Sequence, residues 1–273
     1  MVDKAELLRS LHHGPPILVI PNAWDAATAR VFEHAGFAAV ATTSAGVAAA
    51  LGYPDGGAVP ANEMIEAVAR IARAVQVPVS ADIEYAYAAG PGAVADVVLR
   101  FVAAGAVGVN IEDYVPGASE LEPVTLQADK ITAVIKSATT AGVRVVVNAR
   151  TDVFLRQIGD PVRRLPAAIE RGRAFRDAGA DCVFVPGVSD AATIEALVAG
   201  IRGPINILAG PDTVSVTALE RLGVARVSVG SGPMRASLAL VREIATELKT
   251  HGTYTKFTRS MVPYDELNEL MRR

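Results

Sequence analysis

The sequence contains a single cysteine, Cys182, so an internal disulfide is impossible and a reducing, cytoplasmic compartment is expected. It has no dense lysine/arginine run, and with a net charge of −3 and a pI near 5.9 it offers no basic face to a nucleic acid. No apolar run reaches the roughly 18 residues of a membrane span, so no membrane partner is expected. The opening Met1-Val2-Asp3-Lys4-Ala5-Glu6 is too acidic and polar for a secretory signal. The first apolar run is not followed by G-x-G-x-x-G, the phrase that usually marks a dinucleotide-binding doubly wound sheet.

What remains is a globular composition, 51% hydrophobic and 20% charged over 273 residues. Short apolar runs recur at Ile17–Ile20, Ala38–Thr42, Val77–Asp82, Gly108–Glu112, Val143–Asn148, Cys182–Val185, Ile205–Leu208 and Arg226–Val229. Helical patterns separate them, over about 25–33, 62–74, from Pro91, 126–141, 166–178, 191–198, 214–222 and 233–249, with a short amphipathic helix at 3–12 ahead of the first run. Several helices close on a similar phrase, as in Ala35-Gly36-Phe37 and Ala178-Gly179-Ala180, where glycine accepts the left-handed turn into the next strand. Eight strands alternating with eight helices predict an α/β fold of the (β/α)8 TIM-barrel type. No linker divides it. We expect one domain over 1–273, with the barrel at about 15–250 and a helical tail at about 251–273. Apolar residues in that tail serve either a second subunit or the chain's own barrel.

Barrel enzymes act where the strands end, because the strand-to-helix loops gather there. The second strand ends in Thr42-Thr43-Ser44-Ala45-Gly46, hydroxyls followed by a turn with exposed N–H groups. The third closes on Asp82 and Glu84, which strand alternation places on one face. Such a pair is costly to bury unless a cation or a hydrogen-bond network compensates it; either acid alone could instead cap the next helix. The fourth strand ends in Glu112-Asp113, and the fifth in Asn148-Ala149-Arg150. His12, His13, His34 and His251 avoid the strand ends, which disfavours zinc, and oxygen donors favour Mg²⁺ with Mn²⁺ a close second. Lysines avoid them too, which disfavours a Schiff base. Cys182 begins a strand and reads as core. Arg150 either neutralises Glu112 or Asp82 or grips a carboxylate or phosphonate. Ala209-Gly210-Pro211 and Gly230-Ser231-Gly232-Pro233 read equally as turns or as phosphate-holding loops.

These strand ends resemble the isocitrate lyase/phosphoenolpyruvate mutase superfamily over nearly the whole chain. The resemblance runs from Pro21-Asn22-Ala23-Trp24-Asp25-Ala26 through Thr43-Ser44, Ala81-Asp82-Ile83-Glu84, Asn110-Ile111-Glu112-Asp113 and Asn148-Ala149-Arg150-Thr151-Asp152 to Leu208-Ala209-Gly210-Pro211. It implies Mg²⁺ on Asp82, with Glu84 and Glu112 as supporting ligands. It also implies a substrate carboxylate seated by Ser44 and the Ala45/Gly46 amides, with Arg150 opposite and Asp55 in the place of another family acid. Subunits of such proteins are commonly tetramers that exchange their last helices, so a homodimer or homotetramer is expected. The lyases' Lys-Lys-Cys-Gly-His gating loop is replaced here by Tyr114-Val115-Pro116-Gly117-Ala118-Ser119-Glu120, and the mutases' Lys and Asn are missing as well.

The expected reaction is therefore Mg²⁺-dependent cleavage beside a 2-oxo or 2-hydroxy acid through a pyruvate enolate. Decarboxylation of an oxaloacetate-like acid demands least of the missing loop. Arg150, Asp55 and Glu112 are the expected catalytic residues, and Thr43, Ser44, Ala45, Gly46, Asp82, Asn148 and Arg150 line the substrate site. Water, Tyr85, Tyr114 and Asp55 are the candidate proton donors. The rival readings are a C–P bond mutase or hydrolase, a silent dicarboxylate binder and a metal-free phosphosugar isomerase.

Overall fold

The computed structural model describes residues 2–259 and 261–272; Met1, Ser260 and Arg273, which the single-domain reading spans, lie outside them. Nine parallel strands form one sheet: β1 (Leu18–Ile20), β2 (Asn22–Ala23), β3 (Val40–Thr42), β4 (Val79–Asp82), β5 (Gly108–Glu112), β6 (Val146–Arg150), β7 (Cys182–Phe184), β8 (Ile205–Leu208) and β9 (Arg226–Ser228). The order β1-β9-β8-β7-β6-β5-β4-β3-β2 places the first two strands at opposite ends. They are consecutive in the chain, separated only by Pro21, which has no N–H to continue a ladder. The two pieces act as one bent strand that joins the ends of the sheet, which makes the architecture a (β/α)8 TIM-type barrel.

Helices α1 (Val2–Ser10), α2 (Ala26–His34), α3 (Ser44–Leu51), α4 (Ala61–Ala74), α5 (Pro91–Ala103), α6 (Val124–Thr140), α7 (Pro161–Asp177), α8 (Ala191–Ile201), α9 (Val216–Arg221) and α10 (Gly232–His251) precede and wrap the strands, followed by α11 (Thr255–Thr258) and α12 (Tyr264–Met271). Two expectations need correction. The stretch read as a turn and loop after the second strand contains α3, an alanine-rich helix with no polar stripe to announce it. The helix expected from Pro166 starts at Pro161: the Asp160 side chain accepts from Val162 N at 3.0 Å and Pro161 takes the first turn, leaving Pro166 inside. The glycine phrases behave as expected, with Gly36, Gly105, Gly179 and Gly223 all at positive φ.

The lower end of the barrel is closed by α1. Leu8 is fully buried against Leu18, Ile20, Ala41 and Val146. Gly108 leaves it room, since a Cβ there would stand 2.7 Å from Leu8 Cδ2. Arg9 fastens the plug, donating to Asp181 Oδ1 at 2.8 Å and to the carbonyls of Arg144 and Val145. Above this apolar floor the barrel interior turns polar: Ser80, Asn110, Asn148, Asn206, Arg226 and Ser228 occupy positions where barrels ordinarily place branched aliphatics. At the other end of the chain, α12 folds back onto α2, with Arg30 donating to the carbonyls of Leu270 and Arg272.

Candidate active site

A cavity of about 230 Å³ opens at the upper ends of the strands. It brings together Thr43, Ser44, Ala45, Asp55, Asp82, Asn148 and Arg150. Gly46, Glu84 and Glu112 do not line it, for separate reasons.

Asp82 is the best-anchored acid. Ser44 N and Ser44 Oγ donate to its Oδ2 at 3.0 and 2.7 Å, and Asn110 Nδ2 donates to Oδ1 at 2.8 Å. The carboxylate therefore caps the first turn of α3, where unpaired N–H groups favour an anion. Asn110 in turn accepts from Asn148 Nδ2 at 3.0 Å. Parallel pairing puts Asp82, Asn110 and Asn148 at one level of three adjacent strands, so this chain of bonds follows from register. Of Ser44 and the Ala45 and Gly46 amides, expected to seat a carboxylate, Ser44 N and Oγ serve Asp82 and Gly46 N donates to Thr43 Oγ1, the helix cap. Ala45 N has no partner among the described residues. Gly46 is small because the helix start is tight: a Cβ there would meet Thr43 Cγ2 at 2.6 Å and Trp24 Cβ at 2.9 Å.

Glu84 reaches the same neighbourhood by another route than strand alternation. Its strand ends at Asp82, and Glu84, Ala86 and Tyr87 all adopt positive φ, of 51°, 67° and 54°. Three non-glycine residues in that region within four positions are a local cost of the kind found at functional sites. Glu84 is buried and accepts from Tyr87 Oη at 3.0 Å. Burial first, then the charge of Asp82, pushes its carboxyl up to about 7. Burial also raises Glu112, against the pull of Arg150, and the charges of Asp152, Asp82 and Glu84 add to the rise.

Arg150 is fully engaged by the protein. Its Nη1 donates to Glu112 Oε2 at 2.8 Å, while Nε and Nη2 fork onto Asp152 at 2.6 and 2.9 Å. Asp113 supports that fork from behind, accepting from Asp152 N at 3.0 Å and from Arg171 Nε at 2.7 Å. The glycine loops are engaged too: Val229 N and Gly230 N both donate to Asn22 Oδ1 at 2.9 Å, and Gly210 N donates to Thr213 Oγ1. Few of those amides remain for a phosphate. The segment in the place of the lyase gate is closed at its base by Glu122 N donating to Asp113 O at 2.8 Å. Within it the Tyr114 ring lies beneath the Arg156 guanidinium, 4.2 Å from centroid to Cζ. Tyr85 packs beside Gly57 and Pro116, whereas Asp55 lines the cavity.

Among the described residues no three His, Cys, Asp or Glu side chains converge closely enough to cage a metal by themselves. A three-carboxylate cage is thus not what the fold builds. The donor set fits a different arrangement, in which a hard ion takes one direct carboxylate and completes its shell with water and ligand oxygens, as Mg²⁺ prefers. Asp82 Oδ1 keeps a free lone pair, and the charge of Asp82 adds to the burial that raises both Glu84 and Glu112.

Asn22, Ser80, Asn110, Asn206, Arg226 and Ser228 also stand on the cavity wall, and none of them is among the site residues expected from the sequence. A signal existed. Polar residues at every second position, as in Asn206-Ile207 and Arg226-Val227-Ser228, are out of place in strands that a barrel buries on both faces.

Residues 8–249 match the phosphoenolpyruvate phosphomutase family. The chain is 38% identical over 258 residues to an uncharacterized protein of Mycobacterium tuberculosis, covering 94% of this chain and 93% of that one. It is 29% identical over 257 residues to the oxaloacetate decarboxylase of Rhodopseudomonas palustris, covering 90% and 85% of the two chains. The crystal structure of a 2,3-dimethylmalate lyase superposes with a TM-score of 0.85 at 26% identity, covering 98% of this chain and 94% of the other. With its acid-ended strands, its capped Asp82 and this match along most of its length, the chain belongs to the phosphoenolpyruvate phosphomutase family, within the isocitrate lyase/phosphoenolpyruvate mutase superfamily.

Proposed function

We propose that this protein is a Mg²⁺-dependent carbon–carbon lyase of the decarboxylase kind, acting on a 2-oxo or 2-hydroxy di- or tricarboxylic acid through a pyruvate enolate. The observation that carries the reading is Asp82, a carboxylate fixed by three donors at the start of α3 and facing a small cavity. The likeness to an oxaloacetate decarboxylase and to a 2,3-dimethylmalate lyase supports C–C cleavage, and the equal likeness to a phosphoenolpyruvate phosphomutase keeps C–P cleavage as its rival. Asp82 would hold Mg²⁺ (or Mn²⁺) directly, with Glu84 and Glu112 acting through water, and the ion would supply Lewis-acid polarisation of a 2-oxo group.

The chain's own residues do the rest. Ser44 and Asn110 keep Asp82 in one orientation, and the Asn148 amide keeps Asn110 in its own. The free Ala45 N–H at the helix start donates to a ligand carboxylate oxygen. Arg150, locked by Glu112 and Asp152, holds its guanidinium in one orientation at the cavity wall where enolate charge accumulates. Leu155, Phe184, Pro186 and Leu208 provide apolar wall that limits water. In decarboxylation the C3–C4 bond breaks, its electron pair enters the enolate, carbon dioxide departs, and a proton must reach C3. Asp55 is the one candidate donor side chain on the cavity wall.

A homo-oligomer belongs to the same proposal. Val241, Leu238 and Leu248 on α10, with Tyr254, Met261 and Tyr264 beyond it, expose apolar surface suited to a second copy. Light scattering at the mass of one chain would count against it. For the chemistry, Mg²⁺-loaded protein is offered a panel of 2-oxo and 2-hydroxy diacids with product detection by NMR, alongside phosphonopyruvate followed by phosphorus NMR. Turnover of a diacid that Asp82→Ala abolishes is expected. A panel left untouched by the wild type, with Asp82→Ala indistinguishable from it, defeats the reading, and turnover of phosphonopyruvate alone replaces it with C–P chemistry.

A further inference from the structure

Two arginines line the cavity, and they differ in how they are compensated. Arg150 has its charge met by Glu112 and Asp152. Arg226, at the start of β9, is only 2% exposed, yet its Nε and Nη1 have no partner among the described residues. No salt bridge reaches it from the described residues. A guanidinium remains charged at any working pH and has five N–H donors to satisfy. Leaving it buried and unpaired carries a heavy desolvation penalty.

The neighbouring groups are unsatisfied in the same sense. Asn206, which pairs with Arg226 across the sheet, has a buried Nδ2 without a partner, and Ser80 Oγ is likewise free. The cavity acid whose charge acts on Arg226 is Asp82, and its two oxygens already accept from Ser44 and Asn110. His12 stays neutral at working pH, because burial first and then the charge of Arg226 lower it to about 3. Burial draws Arg226 itself only to about 10, so it is still a cation at neutral pH.

We propose that Arg226, with Asn206 and Ser80, forms an anion subsite on the cavity floor that takes one carboxylate of a diacid whose 2-oxo end lies against Asp82. The identity of the ligand rests on the reading of the site as a 2-oxo acid pocket; the existence of the subsite does not. A cavity of about 230 Å³ is below the roughly 300–1,000 Å³ of drug-sized pockets, so the occupant is a short diacid. Discrimination follows from the same arrangement: a mono-acid leaves the guanidinium unpaired, while a diacid neutralises it.

The test uses the full-length protein, with and without Mg²⁺, and malonate and oxalate as probes in calorimetric titrations. Malonate is expected to bind the wild type without metal and to weaken about 10- to 100-fold in Arg226→Met, as for lost hydrogen bonds to a charged group, with Arg226→Lys intermediate. Oxalate binding in the presence of Mg²⁺ is expected to change less than about twofold in Arg226→Met, because it needs only the Asp82 end. Arg226→Met is also expected to melt no lower than the wild type without anion, since it removes an uncompensated buried charge. Unchanged malonate affinity, equal losses of malonate and oxalate, or absence of malonate binding to the wild type would each overturn the subsite. Oxalate binding that needs neither Mg²⁺ nor Asp82 defeats the functional reading instead and leaves the malonate result standing. If Arg226→Met does not fold, bromide-soaked wild-type crystals decide: an anomalous peak beside the guanidinium supports the subsite, and water alone there refutes it.

Discussion

Replacing Gly46 by alanine adds one methyl group at the place where α3 begins beneath Asp82. That Cβ would stand 2.6 Å from Thr43 Cγ2 and 2.9 Å from Trp24 Cβ, against the ordinary carbon separation of about 3.5–4.0 Å. Something must move by about 1 Å. Thr43 has little freedom to give way: it is β-branched, and its hydroxyl caps Gly46 N. The first turn of α3 has to lift, carrying Ser44 away from Asp82. Overpacking of this kind costs about 1–3 kcal/mol, offset by up to about 1 kcal/mol from alanine's better helix propensity. The net expectation is a loss of about 0–2 kcal/mol, or a melting temperature lowered by no more than about 8 °C at about 2–4 °C per kcal/mol. The effect on the site is larger than on the fold, because a misplacement of about 1 Å in a positioning group costs about 10²-fold in turnover. Gly92 in α5 is the control, since a Cβ there meets nothing within 4 Å, and Gly92→Ala should leave Mg²⁺-dependent oxalate affinity untouched. Calorimetry with oxalate, thermal melts and turnover of the active diacid make the measurement. Gly46→Ala with wild-type oxalate affinity and turnover would refute the role assigned to the start of α3.

Three further outcomes follow from the same contacts. Leu8→Ala should destabilise by about 2–5 kcal/mol in urea melts, because the side chain is fully buried at the barrel floor. Asp152→Asn should cost about 3 kcal/mol, the lower end for a broken buried pair, because Arg150 keeps Glu112; a urea midpoint shift worth under about 1 kcal/mol would contradict the fork geometry. His12 is lowered from 6.5 to about 3, by burial and then by Arg226, so the unfolded chain takes up that proton first. Its contribution to stability is complete above pH 6.5 and is lost as the pH falls toward 3, and His12→Gln should flatten that acid limb in urea melts.

The architecture was legible because most strands are compact apolar runs and most of the helices that follow announce themselves with an amphipathic stripe or a terminal glycine. Asp82 and Arg150 stood out for being charged at the ends of such runs. What escaped did so for physical reasons. Helix α3 is Ser-Ala-Gly-Val-Ala-Ala-Ala-Leu, with four of its residues buried and no polar periodicity to read. Pro166 looked like a helix start because proline favours a first turn, and Asp160-Pro161 five residues earlier held the same signal with a cap attached. The approach of Glu84 depends on left-handed backbone that side-chain alternation does not encode. Arg226 was missed because an arginine opening a strand reads as a solvated edge, and only closure of the sheet turns it inward. Asn110 needed register, which couples residues on three strands and appears in none of them singly.

The plug beneath the strands has a bearing on traffic. With Leu8, Ile20 and Val146 sealing one side, whatever enters the cavity from the upper ends of the strands must back out the same way. Reactant and residue of reaction cannot pass one another there. A diacid lingering after turnover would keep the next one waiting outside, and exit, rather than bond breaking, would then set the tempo of the cycle.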